Sequence, residues 1–335
     1  FLLACGASLA RGQQKEVHIG VLGLFHPREV LVSSIPGAPL DCFAGADRWP
    51  VREPMPVRLD GASIRISSGD RNFPGPLMCD NGQGGPTDFI VAVPGKISRR
   101  YAGTLQVEPR TSELIVIVAM GMEIAVASIV AAESPPHAPM ESLKAQAVAT
   151  RSFLMAGKGR HMSFDFCDTT HCQFLRSPPP PASHAFQAAL ATQGLVLAYR
   201  DTVFAAMYSA SCGGRTHSLE ELGIAARGYP YFAVRCDYCH RHPEKWVVEI
   251  SKADAATLSG TEESRLKLAR KLGWRSVPGN SYSSHAAGGS VVLEGSGVGH
   301  GIGLCQRGGA DMARKGASFQ QILEHYYPNT TLRQY

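Results

Sequence analysis

Glycine and proline punctuate this chain densely, with 35 glycines and 22 prolines among 335 residues. Glycine weakens helix interiors and proline breaks them, so so many of both supply turns and favour short strands over long helices. At roughly 150 residues per domain the length allows two domains or one large one. That is enough to bury a core without a disulfide or metal scaffold. The composition, 44% apolar and 18% charged, excludes disorder, coiled coil and collagen. Net charge is +5, from 33 basic and 28 acidic residues. So diffuse a charge implies no nucleic-acid partner and is compatible with an anionic substrate.

The chain opens Phe1-Leu-Leu-Ala-Cys5 without an initiator methionine, so an upstream piece is expected. Leu2-Leu3-Ala4-Cys5 reads as the tail of a secretory signal, with Cys5 where a lipoprotein would carry its lipid anchor. An extracytoplasmic location, in the periplasm or cell envelope, follows as an expectation. Leu114 to Ala132 is apolar apart from Glu123 at its middle. A carboxylate there costs several kcal/mol in a bilayer, so no membrane span is expected. Leu114-Ile-Val-Ile-Val118 suits a buried strand, Gly121 a turn, and Met122 to Ala132 a short helix.

Short strand-like runs between Gly, Pro and Asp clusters fill residues 17–107, among them Val17–Leu22, Ala62–Ser67 and Phe89–Val93. This predicts a small β domain after a signal remnant and linker (1–16), and before a larger core (108–335). Within that core a helix is expected from Pro139 to Gly157, with Leu143, Gln146, Ala147, Thr150 and Leu154 on one face. Pro178–Pro181 is a rigid surface spacer. Strands are expected at Leu195–Tyr199 and Val203–Tyr208, and a helix from Ser318 to Tyr327 stopped by Pro328. Strands mixed with a few helices predict an α+β fold.

Four features carry chemistry. Glu133 ends an apolar segment just before a proline-rich turn, where one-sided desolvation raises a carboxyl group toward the range of a general acid; taken alone, it also reads as a solvated loop glutamate. His161, Cys167, His171 and Cys172 fall within twelve residues and supply the imidazole and thiolate ligands of tetrahedral zinc. Because His171 and Cys172 are adjacent, both reach one ion only across a tight turn; a Cys167–Cys172 disulfide and free thiols are the rivals. Cys236-Asp-Tyr-Cys239-His240 matches the short pattern of c-type haem attachment. No cytochrome-like helical region surrounds it, and a second metal site or disulfides among Cys212, Cys236, Cys239 and Cys305 fit better. Cys42 and Cys79 remain as a candidate pair in the β domain. Two glycine-rich stretches, Ser209–Thr216 and Gly295–Gly303, match no nucleotide-binding loop. They read either as plain tight turns or as backbone brought close to a ligand or another strand, with Ser211, His300 and Gln306 then lining a cleft.

In combination these pieces resemble the sporulation stage II protein D family (SpoIID/LytB, the amidase-enhancer domain). The resemblance rests on Glu133-Ser-Pro with Ser142–Arg151, on Cys167–Gln173, on Ser209–Thr216, and on Gly299–Gln306 running on to His325–Pro328; Arg100–Gly103 upstream also fits. It implies a strand-rich, two-lobed core and an extracytoplasmic protein acting on peptidoglycan. It implies a lytic transglycosylase with Glu133 as the single acid/base, cutting peptide-stripped glycan between N-acetylmuramic acid and N-acetylglucosamine and leaving 1,6-anhydro ends. This departs from the two-carboxylate scheme of most glycosidases. Substrate contacts are expected from Arg151, Tyr208, Ser209, Ser211, Gly213, Gly214, His300 and Gln306. One structural zinc is expected at His161, Cys167, His171 and Cys172, ordering a loop and taking no part in bond cleavage. The alternative is a non-enzymatic module that binds the cell wall and enhances a partner N-acetylmuramoyl-L-alanine amidase. Departures from the family pattern are Pro136-His-Ala138 in place of an aromatic-containing turn, and Cys212 and Cys305 where serine is common.

Overall fold

The computed structural model describes residues 15–66, 72–135, 137–225 and 228–335. The signal-like Leu2–Cys5 and Pro136 lie outside the described residues. The fold is α+β and strand-rich, with helices α1 (Met122–Glu133), α2 (Met140–Ala156), α3 (His184–Ala191), α4 (Asp237–Arg241), α5 (Lys252–Ala255), α6 (Glu262–Leu272), α7 (Gln306–Arg314) and α8 (Phe319–Tyr326). The chain divides into two compact units, residues 1–125 with 159–178, and residues 126–158 with 179–335.

The first unit is built on one sheet. Glu16–Val21 pairs antiparallel with Leu114–Gly121, which pairs with Ile97–Pro109, which in turn pairs with Thr87–Val93. The long strand Ile97–Pro109 buries every second residue from Arg99 to Val107, the period of a sheet with one face on a core. Cys42 and Cys79 face each other across the pair Asp41–Ala44 and Leu77–Asp80 and form a disulfide. This unit extends past the boundary expected at residue 107, because Leu114–Gly121 completes the sheet between Glu16–Val21 and Ile97–Pro109. Residues 159–178 also return to it, since Phe166–Cys167 pairs in parallel with Ile19 and Gly20. The apolar run Leu114–Ala132 divides into a strand and α1, with Gly121 as the last strand residue. Among the described residues no helix is long and apolar enough to cross a membrane.

The second unit centres on α2, which differs from the one-faced helix expected. Every residue from Ser142 to Leu154 except Lys144 is buried. Contacts with α3, α7, α8 and the strand Leu195–Tyr199 surround it, so it is a central helix rather than a surface one. Its Ala145, Val148 and Ala149 join a core with Phe204, Tyr229, Tyr231 and Tyr327, where Phe204 and Tyr229 stack with ring centres 4.5 Å apart. Residues 203–208 do not form the single strand expected. Only Thr202–Val203 and Tyr208–Ser209 are strand. Between them the Tyr231 hydroxyl receives the Met207 N–H at 3.0 Å and donates to the Ala205 carbonyl, satisfying backbone groups that a ladder would otherwise pair. A separate three-stranded sheet, Lys245–Ser251, Ser290–Ser296 and Ser281–Ala287, packs Ile250 and Leu293 with Leu268 and Val277. The last helix carries a Ser318/Gln321 capping box.

Candidate active site and cysteine centres

Glu133 is the last residue of α1 and is half-buried. The hydroxyl of Tyr208 donates to its carboxylate. Thr150 Oγ1 lies 3.3 Å from the same hydroxyl, and Gln146 also sits beside it. Burial first, then the Glu133 charge, push the Tyr208 phenol well above its ordinary value, so it remains a neutral donor. Gln306, at the start of α7, spans the site with one amide nitrogen: it donates to the Glu133 carbonyl at 2.9 Å and to Gln146 Oε1 at 3.1 Å. Ser134 Oγ donates to that same Gln146 oxygen at 2.9 Å. Gln146 and Gln306, with Pro135, Ala138, Ser142, Leu304 and Gly309, line a small cavity of about 10 Å³. One carboxylate oxygen is thus held by a phenol, and the backbone of the same residue is held by an amide. That is the preorganisation an acid/base group needs.

The two glycine-rich stretches meet each other. Tyr208–Ser209 pairs in parallel with Leu304–Cys305, and Ser211 bridges Val298. At Gly297 φ is +85°, and a Cβ there would lie 2.7 Å from the Gly213 nitrogen; at Gly303 it would lie 2.0 Å from the Met207 carbonyl oxygen. Glycine density here serves backbone-to-backbone approach, one of the two readings open at sequence level. His300 sits within this contact. Its Nδ1 accepts the Ile302 N–H at 3.0 Å, and the ring also bonds the Tyr208 backbone. Desolvation lowers it to about 4, with Glu262 acting in the opposite sense, so the ring is neutral with its proton on Nε2.

Of the residues expected to contact substrate, Tyr208 and Gln306 reach Glu133 directly, and His300 does so through Tyr208. Gly213 and Gly214 line a groove of about 420 Å³ with Arg215, Arg235 and His240. Its two arginines are paired with Glu221 and Asp237, which tempers its positive charge. Three residues sit elsewhere. Arg151 is 1% exposed and gives its guanidinium to the Leu195 carbonyl at 2.9 Å and the Ala189 carbonyl at 3.1 Å, tying α2 to α3 and a strand. Ser211 is buried with Oγ 3.5 Å from Cys239 Sγ. Ser209 is buried, its hydroxyl without a partner among the described residues. The sequence places Gln146 and Thr150 only on a helix face and Ser134 only within the Glu133-Ser-Pro motif. Two polar side chains four apart on the face that also carries Leu143, Ala147 and Leu154 are the signal that could have found the first two. Glu262 was also missed: it is buried and forked by Arg265 at 2.7 and 2.6 Å, with Asn280 at 2.7 Å. Burial raises its carboxyl, but Arg265 and Asn280 outweigh that and hold it low.

Two groups of soft ligands are also present. In the first unit, single ligand atoms of His161, Cys167, His171 and Cys172 lie within 4.8 Å of one another. The turn required by adjacent His171 and Cys172 exists: the Cys172 N–H closes on the Thr169 carbonyl at 3.0 Å. His161 Nε2 is 3.2 Å and His171 Nδ1 3.4 Å from Cys172 Sγ, while Cys167 Sγ is 3.7 Å from His171 Nδ1. Cys172 beside it pulls the Cys167 thiol down, while Cys172 itself is pushed up, as in a pair sharing one proton. Asp168, between the ligands, anchors this loop through Arg99 at 2.8 Å and the Leu22 N–H at 3.2 Å. Two thiols and two imidazoles so placed fit a tetrahedral ion. In the second unit, Cys212, Cys236, Cys239 and Cys305 converge as free thiols, all buried. With Cys236 and Cys239 enclosed beside two further sulfurs, the haem-attachment pattern is not used as such.

Residues 110–199 match the family model described as SpoIID, Stage II sporulation protein. The segment contains Glu133, α2 and the histidine–cysteine loop. The chain is similar to an uncharacterised protein of Brachyspira hyodysenteriae, 28% identical over 270 residues that cover 70% of this chain and 73% of the relative. It is also similar to stage II sporulation protein D of Bacillus amyloliquefaciens, at 25% identity over 62% of this chain and 72% of the relative. The amidase enhancer of Bacillus subtilis is 25% identical over 61% of this chain but only 39% of its own length. The matched segment carries the glutamate and its helix, and relatives named for the family align beyond it, so over this region the chain is similar to the SpoIID family.

Proposed function

We propose that the protein is a cell-wall enzyme, a lytic transglycosylase of peptidoglycan with Glu133 as its single acid/base. The observation that carries this reading is the Tyr208–Glu133–Gln306 arrangement, in which Tyr208 holds the carboxylate and Gln306 holds the main-chain carbonyl of the same residue. In its protonated form Glu133 gives its proton to the glycosidic oxygen between N-acetylmuramic acid and N-acetylglucosamine. The resulting carboxylate takes the proton of the muramyl C6 hydroxyl, which closes on C1, so the product is a 1,6-anhydro end and no water is consumed. Tyr208 stays neutral throughout and turns its hydroxyl toward the carboxylate as charge develops there. The substrate is a peptide-stripped strand, whose lactyl carboxylates suit a chain of net charge +5.

The histidine–cysteine loop holds one structural zinc through His161, Cys167, His171 and Cys172. That ion's contribution is to fix the loop; it supplies no reacting group. An extracytoplasmic location accompanies this function, and the Cys42–Cys79 disulfide supports it, since such bonds persist in oxidising compartments. Glu133→Gln tests the reading: mass spectrometry of digests of stripped glycan should show 1,6-anhydro products with the unaltered protein and none with the variant, which still binds glycan. Absence of such products from the unaltered protein refutes the enzyme. The second reading, a non-enzymatic enhancer of an amidase, draws on similarity to the Bacillus subtilis amidase enhancer. It predicts that Glu133→Gln leaves stimulation of the amidase unchanged.

A further inference from the structure

The four remaining thiols of the second unit come from distant parts of the chain, 93 positions apart at their extremes, since Cys212 and Cys305 bound the set. Cys236 and Cys239 flank and begin α4: Cys236 is its N-cap and Cys239 lies within it. Cys305 is the N-cap of α7, where its sulfur accepts the Gly308 N–H at 3.5 Å. All four are at most 3% exposed. Their sulfurs lie within 4.8 Å of one another, Cys239 and Cys305 at 3.5 Å, and none forms a disulfide.

We propose that Cys212, Cys236, Cys239 and Cys305 bind a second zinc ion, a closed tetrathiolate centre. Thiolates at about 2.3 Å from one tetrahedral ion stand about 3.8 Å apart along each edge, the spacing these sulfurs approach. A polynuclear iron–sulfur cluster holds its cysteines farther apart, with sulfide and further metal between them, so the cage fits a mononuclear ion. Binding converts four thiols to thiolates and releases four protons, leaving a buried centre of net charge −2. Donors already face that charge. Besides the Gly308 N–H, Tyr326 gives its hydroxyl to Cys236 Sγ at 3.3 Å, and the Ser211 hydroxyl lies 3.5 Å from Cys239 Sγ. Such outer hydrogen bonds accompany metal thiolates. Gly308 also has a reason to lack a side chain: a Cβ there would meet Tyr326 Oη and come 2.5 Å from Cys236 Sγ.

The centre bears on the candidate active site through sequence adjacency. Cys305 precedes Gln306, whose amide holds the Glu133 carbonyl. An ion on Cys305 fixes the start of α7 and thereby that amide. Its role is structural, with all four positions filled by protein, and it stands whether or not the transglycosylase reading does.

The test is metal analysis of the full chain purified without chelator, combined with zinc-edge X-ray absorption. A centre in the first unit contributes two sulfurs and two nitrogens, and a tetrathiolate contributes four sulfurs. Two zinc per chain with an average shell of about three sulfurs and one nitrogen is expected, or four sulfurs if only the second unit is loaded. C236S/C239S should remove the tetrathiolate signal, whereas H161A/C172S should leave it. Because the first variant could misfold, the unaltered chain carries the decision. A shell of two sulfurs and two nitrogens, no zinc, iron in its place, or all four cysteines resisting alkylation in denaturant until a reductant is added would each overturn the proposal.

Discussion

His300 gives the sharpest test of how the glycine-rich segment is packed. The neutral ring accepts from Ile302 on one side and bonds the Tyr208 backbone on the other. Protonating it would turn Nδ1 from acceptor to donor against an N–H, in surroundings where burial already disfavours charge. The fall from 6.5 to about 4 corresponds to about 3 kcal/mol opposing protonation in the folded state. A base whose folded value lies below its unfolded one leaves the unfolded chain binding more protons. Stability is therefore intact above about 6.5 and is lost as pH falls through the window from 6.5 to about 4. Between pH 7.5 and pH 5 this single group should cost about 2 kcal/mol. The measurement is urea denaturation of the unaltered protein and of His300→Asn across that range, following a probe in the second unit. Asparagine cannot titrate, yet its Oδ1 can accept the Ile302 N–H. The variant starts less stable but should lose about 2 kcal/mol less on acidification. His217, which burial also lowers, is present in both proteins and differs between them only through its repulsion with His300. Equal acid losses in the two proteins, or an imidazole NMR resonance assigned to His300 that titrates near 6.5, would refute the packing described.

Tyr208→Phe removes the donor to the Glu133 carboxylate and keeps the ring. A hydrogen bond to a charged group is worth about 1.5–3 kcal/mol, so glycan cleavage should slow about 10- to 100-fold, while circular dichroism shows an intact fold. An unchanged rate would remove Tyr208 from the site. Arg151→Met strips donors from the Leu195 and Ala189 carbonyls; thermal or urea unfolding should register a loss of about 3 kcal/mol, with KM for glycan unaltered, whereas a raised KM would return Arg151 to the substrate contacts. Replacing Cys42 and Cys79 together by alanine opens a loop of sequence separation 37, and denaturation of the first unit should show a cost of about 3–4 kcal/mol.

Several elements were legible because their signals are local. The strand begun at Leu114, the helix over Met122–Ala132 and the last helix before Pro328 follow from a β-branched run, an apolar stretch and a proline stop, each contained within one turn or a few residues. The convergence of His161, Cys167, His171 and Cys172 is legible for the same reason, since four side chains within twelve residues need only one turn to meet. Residues 203–208 differ from expectation because a short apolar run suits a buried strand, yet a phenol from position 231 satisfies their backbone instead. α2 misled in the opposite direction. Its polar Gln146 and Thr150 looked compatible with an apolar face, but Gln146 meets Gln306 and Ser134, and Thr150 meets Tyr208.

Short-range sequence set the alternation of short strands and helices, the placing of Glu133 at the end of an apolar segment, and blocks specific enough to resemble the SpoIID family. Such properties depend on neighbours a few residues apart, where turn chemistry and periodicity act. Tertiary structure alone decided which partners Glu133 has, that Arg151 faces main-chain carbonyls, that the two glycine-rich stretches close on each other, and that cysteines from 212 to 305 share one buried volume. Those outcomes depend on contacts between segments tens to more than a hundred residues apart. Burial, through desolvation and the need to satisfy each enclosed polar group, selects among many pairings that local sequence leaves equally open.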